Sequence, residues 1–320
     1  MEHRNAGRLV LVVLGTLWVC QIGCSLNTLA VNVVSDALAA GGTTFASDDD
    51  PELIRQATPF SLKLTESLLA QNPRHQGLLL AAVRGFAQYT YAFVQQEADE
   101  WLNHDLDRAI SARSRAKRLY LRARDYGLRG LEVRHSGLAA ELRVNPLEAL
   151  RRARVPDVPL IYWTAASWAG AISLAKDDID LMADLPIVES LIDRALALDE
   201  DYDDGAIHTF LISYEMASRR FPDAVDRARE HFRRAMALGG PHRAGPLVAA
   251  AESLALVQQD RSWFAQLLRR ALAIDPDARP PCRLVNMIYQ RRARWLLGQI
   301  DELFLGPPPP IDQEQGTSKP

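Results

Sequence analysis

Three copies of one short segment constrain this chain more than any other feature. Arg194-Ala-Leu-Ala-Leu-Asp199, Arg234-Ala-Met-Ala-Leu-Gly239 and Arg270-Ala-Leu-Ala-Ile-Asp275 begin 40 and then 36 residues apart. Each closes a stretch of helical apolar spacing and runs into a turn signal: Asp203-Asp204-Gly205, Gly239-Gly240-Pro241 and Asp275-Pro276. Another helical stretch follows each turn. A helix pair repeating at slightly more than ~34 residues marks a tetratricopeptide-like repeat. One such hairpin cannot bury its own apolar face, so hairpins stack on their neighbours into a solenoid.

The remaining sequence fits an all-α chain. Leu62, Leu64, Leu68 and Leu69 lead into a stop at Asn72-Pro73. Residues 78–94 read as one long apolar helix in which Ala81, Ala82, Gly85 and Ala92 alternate with Phe86, Tyr89, Tyr91 and Phe93. Small residues among large ones suit helices that approach closely. A further stripe runs from Leu106 through Ala109, Ala116 and Tyr120 to Ala123, and Tyr126-Gly127 reads as its end. Alternating Val/Ile/Thr/Tyr runs bounded by turn residues, the mark of strands, are missing. The predicted fold is an all-α, tetratricopeptide-like solenoid of helical hairpins. It occupies residues 24–305, with weaker hairpins over 51–155 and clearer repeats over 157–297. Val155-Pro156-Asp157-Val158-Pro159 punctuates the two blocks. Residues 306–320, with four consecutive prolines from Pro307 to Pro310, read as a disordered tail. With 48% apolar residues in 320, a core of ample size can be buried. The net charge of −3 argues against a general nucleic-acid binder.

The first residues read as an address. Arg4 and Arg8 precede an apolar run from Leu9 to Val19 that is short for a membrane span and shaped like a signal core. It ends at Gln21-Ile22-Gly23-Cys24-Ser25. A small residue before a cysteine is the cleavage pattern of bacterial lipoproteins, so residues 1–23 are the expected signal peptide and Cys24 the lipidated first mature residue. An uncleaved anchor or an ordinary secretory signal is the plainer alternative. Acyl chains would tether the protein to a membrane. Ser25 after the cysteine resembles an outer-membrane address facing the periplasm.

Motifs for chemistry are missing. The sequence has no GxGxxG, P-loop, HExxH or GxSxG, and its seven histidines show no metal-ligand spacing. Ser114-Arg-Ala-Lys117 matches a bare Ser-x-x-Lys, but without companion motifs. The acidic run Asp199 to Asp204 fails as a calcium loop, because Asp204 stands where glycine is needed and Phe210 where glutamate is needed. It reads better as a solvated turn. His208 and Glu215 share a helix face but lie seven residues and ~10.5 Å of rise apart, too far for a dyad. We therefore expect no enzyme activity, no cofactor and no metal. Tyr162, Trp163 and Trp168 suit either a helical core or a ligand wall. Gln290-Arg291-Arg292-Ala293-Arg294-Trp295 could pair internally with acidic turns or engage an acidic partner. The basic stretch Arg108 to Arg124 reads as a solvated face, with anionic lipid as the sharper alternative.

The order of several loose motifs is more specific than any one of them. Trp163-x4-Trp168-x3-Ile172, Leu185-Pro186, Arg194 to Glu200, Gly205-Ala-Ile-His-Thr-Phe-Leu211 and Tyr214-Glu215 come first. His231-Phe232-Arg-Arg-Ala235, Ala244-Gly-Pro-Leu-Val248, Ala271 to Asp277 and Gln290 to Leu297 follow. With the lipoprotein-like start, this series resembles the T-component family of TRAP transporters, TatT-like tetratricopeptide-like periplasmic lipoproteins. The resemblance covers about Cys24 to Phe304. It implies a pore through each protomer, a homotrimer, and partnership with a periplasmic solute-binding protein of the TRAP type in handling a small organic or hydrophobic ligand. Trp163, Trp168, His208, Tyr214, Glu215, Gln290, Arg291 and Trp295 are the pore or pocket candidates. The competing expectation is a general scaffold lipoprotein for envelope assembly or secretion, since fold does not choose among partners.

Overall fold

The computed structural model describes residues 42–304 except 219 and 220. The expected signal core, Cys24 and the proline-rich tail lie outside the described residues. Within them the chain is helical and has no strand. It groups into two compact units that divide between Tyr202 and Asp203. The Val155–Pro159 punctuation thus falls inside the first unit.

In the first unit, α1 spans Gly42–Ala46 and α2 spans Pro51–Gln71. Asp50 caps α2 by accepting from the Glu52 and Leu53 amides, and Pro51 occupies the first helical position, where a missing N–H costs nothing. The helix stops before Pro73 as expected. Helix α3, Gln76–Tyr89, buries Leu78, Leu79, Ala82, Val83 and Phe86. It does not end at Val94. It passes through a π-helical segment, Thr90–Gln95, into α4, Gln96–Trp101.

Helix α5, Leu106–Arg134, is capped by Asp105 and runs past Tyr126-Gly127 without stopping. The glycine there serves packing. Ala109, Ala116, Ala123, Gly127 and Gly130 form a buried stripe of small residues along α5. The stripe lets α5 lie against α8, Val158–Ser173, and against α3. A Cβ at Gly127 would meet Thr164 Oγ1 at 2.1 Å, and one at Gly130 would meet Leu160 Cδ2 at 2.7 Å. The short helices α6, Leu138–Val144, and α7, Pro146–Ala149, lead to α8. Helices α9, Ile179–Met182, and α10, Leu185–Leu198, complete this unit, with α10 packed on α8.

The second unit opens in α11, Tyr202–Ser218, whose first turn is left-handed at Asp203, Asp204 and Gly205. Two consecutive non-glycine residues at positive φ are costly unless the surroundings hold them. Arg243 does so, donating to the Asp203 carbonyl oxygen at 3.1 Å and to Asp204 Oδ2 at 2.8 Å, while Arg279 reaches Asp204 Oδ2 at 2.8 Å. Burial works against the Asp204 charge, but the two arginines outweigh it and hold its carboxyl below the usual range. The turn expected from sequence is present, but clamped rather than simply solvated.

Then come α12, Ala224–Gly239, and α13, Gly245–Ala250, which continues into a second π-helical segment, Ala251–Ala255. Helices α14, Arg261–Leu272, α15, Arg283–Gly298, and α16, Ile300–Leu303, follow. Leu247, Val248, Leu254, Phe264, Leu267, Leu268, Leu296 and Phe304 fill the core. The repeated segment now has a physical reason. Its first alanine, Ala195, Ala235 or Ala271, has no exposed surface in any copy. A small residue buried in each copy suits close approach of the neighbouring helix.

Candidate functional site

Helices α11 and α12 carry two buried polar rungs. In the first, His208 Nδ1 lies 2.9 Å from His231 Nδ1, with ring centroids 5.1 Å apart. Two imidazoles joined through Nδ1 need opposite tautomers, one donating and one accepting. Burial, reinforced by the neighbouring His208, pushes the His231 pKa down to about 4, against an opposing pull from Glu215. The His231 ring is therefore neutral at pH 7. In the second rung, Glu215 has no exposed surface, and Oε1 accepts from Arg227 Nη2 at 2.9 Å. Arg227 also lies over the Phe221 ring, 4.4 Å from its centroid.

The two sequence candidates on α11, His208 and Glu215, thus take separate partners from α12 rather than each other. His231 and Arg227 are the members that sequence reasoning did not nominate. Their four-residue spacing, which puts both on one face of α12, was the available signal. Tyr214 is buried beside them in sequence and stacks on Phe210, with centroids 5.4 Å apart.

The three candidates on α15 have distinct surroundings. Gln290 is buried and its Nε2 donates to the carbonyl oxygens of Ile274 at 2.7 Å, Ala271 at 3.1 Å and Leu272 at 3.4 Å. It satisfies carbonyls that the end of α14 leaves without helical partners. Arg291 is partly buried. Trp295 lies under Arg292, whose guanidinium is 4.4 Å from the ring and donates from Nε and Nη2 to Glu252 Oε1 at 2.9 and 2.7 Å. Glu252 sits on the second π-helical segment, so that distortion places an acid opposite Arg292.

In the first unit, Trp168 is 1% exposed, its indole N–H donates to Asp184 Oδ2 at 3.2 Å, and Arg124 stacks over its ring. Trp163 differs. It packs edge-on against Tyr162, centroids 5.0 Å apart, and Tyr162 meets Tyr202 at 5.4 Å. Its indole Nε1 is buried and has no hydrogen-bond partner among the described residues. The amide of Gln96, 1% exposed where the first π-helical segment ends, also lacks one. No sequence pattern pointed to Gln96, because the π-helical turn that buries it has no composition signature.

The arginines of α5 are not an open basic face. Arg108 pairs with Glu97, Arg113 with Asp99, Lys117 with Asp178 and Arg122 with Glu66. Asp157 shows the same economy. Burial opposes its charge, yet the Arg154 amide, His135 and Arg134 together hold its carboxyl below the usual range. Among the described residues no group of three His, Cys, Asp or Glu side chains could hold a metal ion. No described helix is long and apolar enough to cross a membrane.

An uncharacterized protein of Treponema pallidum (strain Nichols) is 31% identical over 302 residues, covering 88% of this chain and 94% of that protein. Residues 47–304, nearly all of the described helices, match the TRAP transporter T-component family. The chain belongs to the TRAP transporter T-component family.

Proposed function

We propose that the chain is a non-catalytic accessory of a TRAP-type transporter. It is held at a membrane through acylated Cys24, faces the periplasm, and helps a solute-binding protein handle a small organic or hydrophobic ligand. The family match over residues 47–304 carries this reading. The chemistry of the candidate residues supports it. Glu215, Gln290 and Trp168 are each engaged in holding helices together, which suits a scaffold.

The ligand-facing group in this reading is Trp163. A ring in an aromatic cluster with one unsatisfied N–H suits an apolar ligand that bears a single acceptor. Trp163→Phe keeps most of the ring surface and removes the donor. It should weaken such a ligand by roughly fivefold to tenfold, the worth of one hydrogen bond.

The test is a pull-down of a TRAP-type solute-binding protein, using the mature protein from Cys24. Co-elution with a defined stoichiometry is expected. Failure to associate, with or without the transporter's solute, would overturn the proposal.

A further inference from the structure

Buried polar side chains in this protein are hydrogen-bonded, with one exception. Among the described residues twelve polar or charged side chains are buried, and eleven of them take part in at least one hydrogen bond. The twelfth is Gln96, 1% exposed, whose Oε1 and Nε2 both lack a partner. Gln290 shows what the same side chain does when it holds the fold together: its Nε2 donates to three carbonyl oxygens. The backbone of Gln96 is satisfied, since its N–H donates to the Tyr91 carbonyl oxygen five residues back, closing the π-helical segment. Gln95 beside it is engaged too, its Oε1 accepting from the Tyr120 hydroxyl at 2.7 Å. Along the chain, buried Phe93, Val94 and Ala98 flank Gln96, and α4, which begins there, packs against α5.

Stability does not account for a glutamine at this position. A buried amide that makes no hydrogen bond has given up its hydration for nothing, and an apolar side chain of the same length would fold better. Native interiors keep few such groups, and each calls for a reason other than packing. Short π-helical segments within α-helices are themselves frequent at functional sites. The side chain also dictates what it can take. It presents an acceptor beside a donor in one plane. The matching partner carries a carbonyl oxygen beside an N–H, as the edge of a primary amide or a lactam does. A carboxylate fits poorly: it offers acceptors only, so one oxygen would face Oε1, and its charge would be buried against a neutral group.

We infer that Gln96 is a ligand-binding residue of the first unit, which takes the amide edge of a small neutral molecule through two parallel hydrogen bonds. Nε2 donates to the ligand carbonyl oxygen, and Oε1 accepts from the ligand N–H. This goes beyond the transporter reading. Binding at Gln96 needs neither a solute-binding protein nor Trp163, so either proposal can fail while the other stands.

Acetamide is the probe, because it carries that edge and little else. The full chain is labelled with 15N-glutamine, and the Gln96 side-chain cross-peak is assigned by its loss in Gln96→Met. Millimolar acetamide should shift that cross-peak saturably, whereas acetate, of the same size but with acceptors only, should leave it in place. In Gln96→Met, where the neighbouring Gln95 side chain reports binding, acetamide should bind tenfold or more weakly. The urea midpoint of that variant should be unchanged or higher, opposite to the loss expected on removing the bonded amide of Gln290. A lowered midpoint, or failure to fold, would make Gln96 a structural amide and overturn the inference. Two outcomes in the unaltered chain would overturn it as well: equal shifts with acetamide and acetate, or a Gln96 amide that ignores acetamide and shows cross-relaxation with water alone.

Discussion

Gly127→Ala is the sharpest probe of how the first unit is packed. The new Cβ would lie 2.1 Å from Thr164 Oγ1, 3.0 Å from Thr164 Cβ and 3.2 Å from Val83 Cγ2. Ordinary contact begins near 3.4 Å, so the hydroxyl must retreat by more than 1 Å. It has little room to do so, because Thr164 Oγ1 donates to the Leu160 carbonyl oxygen at 2.5 Å. One turn along, a Cβ at Gly130 would meet Leu160 Cδ2 at 2.7 Å, which resists a sideways shift of α5. Overpacking of this kind costs about 1–3 kcal/mol. Alanine recovers about 1 kcal/mol over glycine in a helix interior. A 2.1 Å approach belongs at the upper end of the overpacking range, so the net expectation is a destabilisation of about 2 kcal/mol, read as a lower urea midpoint by circular dichroism with an unchanged slope. Thr164→Ala removes Oγ1, the closest of these atoms, so the double variant should regain most of the loss, a coupling that a mutant cycle isolates. Gly298→Ala is the control, since a Cβ there meets nothing within 4 Å and should be neutral or stabilising. If Gly127→Ala were as stable as the parent protein, or if Thr164→Ala failed to rescue it, the close α5–α8 approach would be wrong.

Two further outcomes follow from the second unit. His231 has its pKa lowered from 6.5 to about 4, so between those values the unfolded chain binds a proton that the folded chain refuses. The rung's contribution is therefore complete above about pH 6.5 and lost as pH falls toward 4. Its size, allowing for partial solvent contact, is about 2 kcal/mol. The pH dependence of the urea midpoint should show this slope, and His231→Gln should flatten it. Gln290→Met keeps the side-chain volume and deletes the donor to three buried carbonyl oxygens, and should cost about 2 kcal/mol. An unchanged midpoint in that variant would show that water can replace the amide.

Much of the fold was legible because repeats are local. The end of α2 before Asn72-Pro73, the turn at Asp203-Asp204-Gly205 and the turn at Gly240, where φ is +61°, all stand where turn chemistry put them. The errors came from residues with two meanings. Tyr126-Gly127 carries a helix-stop signal, yet α5 continues to Arg134 because the glycine is needed where α8 crosses. The run over 78–94 reads as a single helix, but a π-helical turn from Thr90 extends it to Trp101 and buries Gln96. The extra residue in such a turn changes which face points inward, and periodicity reports only a regular face.

The sequence by itself determined the all-α architecture and the repeat period. These depend on spacing along one helix, which the order of residues encodes directly. Only the tertiary structure decided partners. His208 meets His231, Glu215 meets Arg227 and Gln290 caps the end of α14, while the N–H of Trp163, without a partner among the described residues, sets it apart from the engaged Trp168. Pairing across helices depends on how one surface settles against another, and several registers of the same apolar stripe bury similar area. The choice among them falls to close contacts and buried hydrogen bonds, which exist only once the helices are packed.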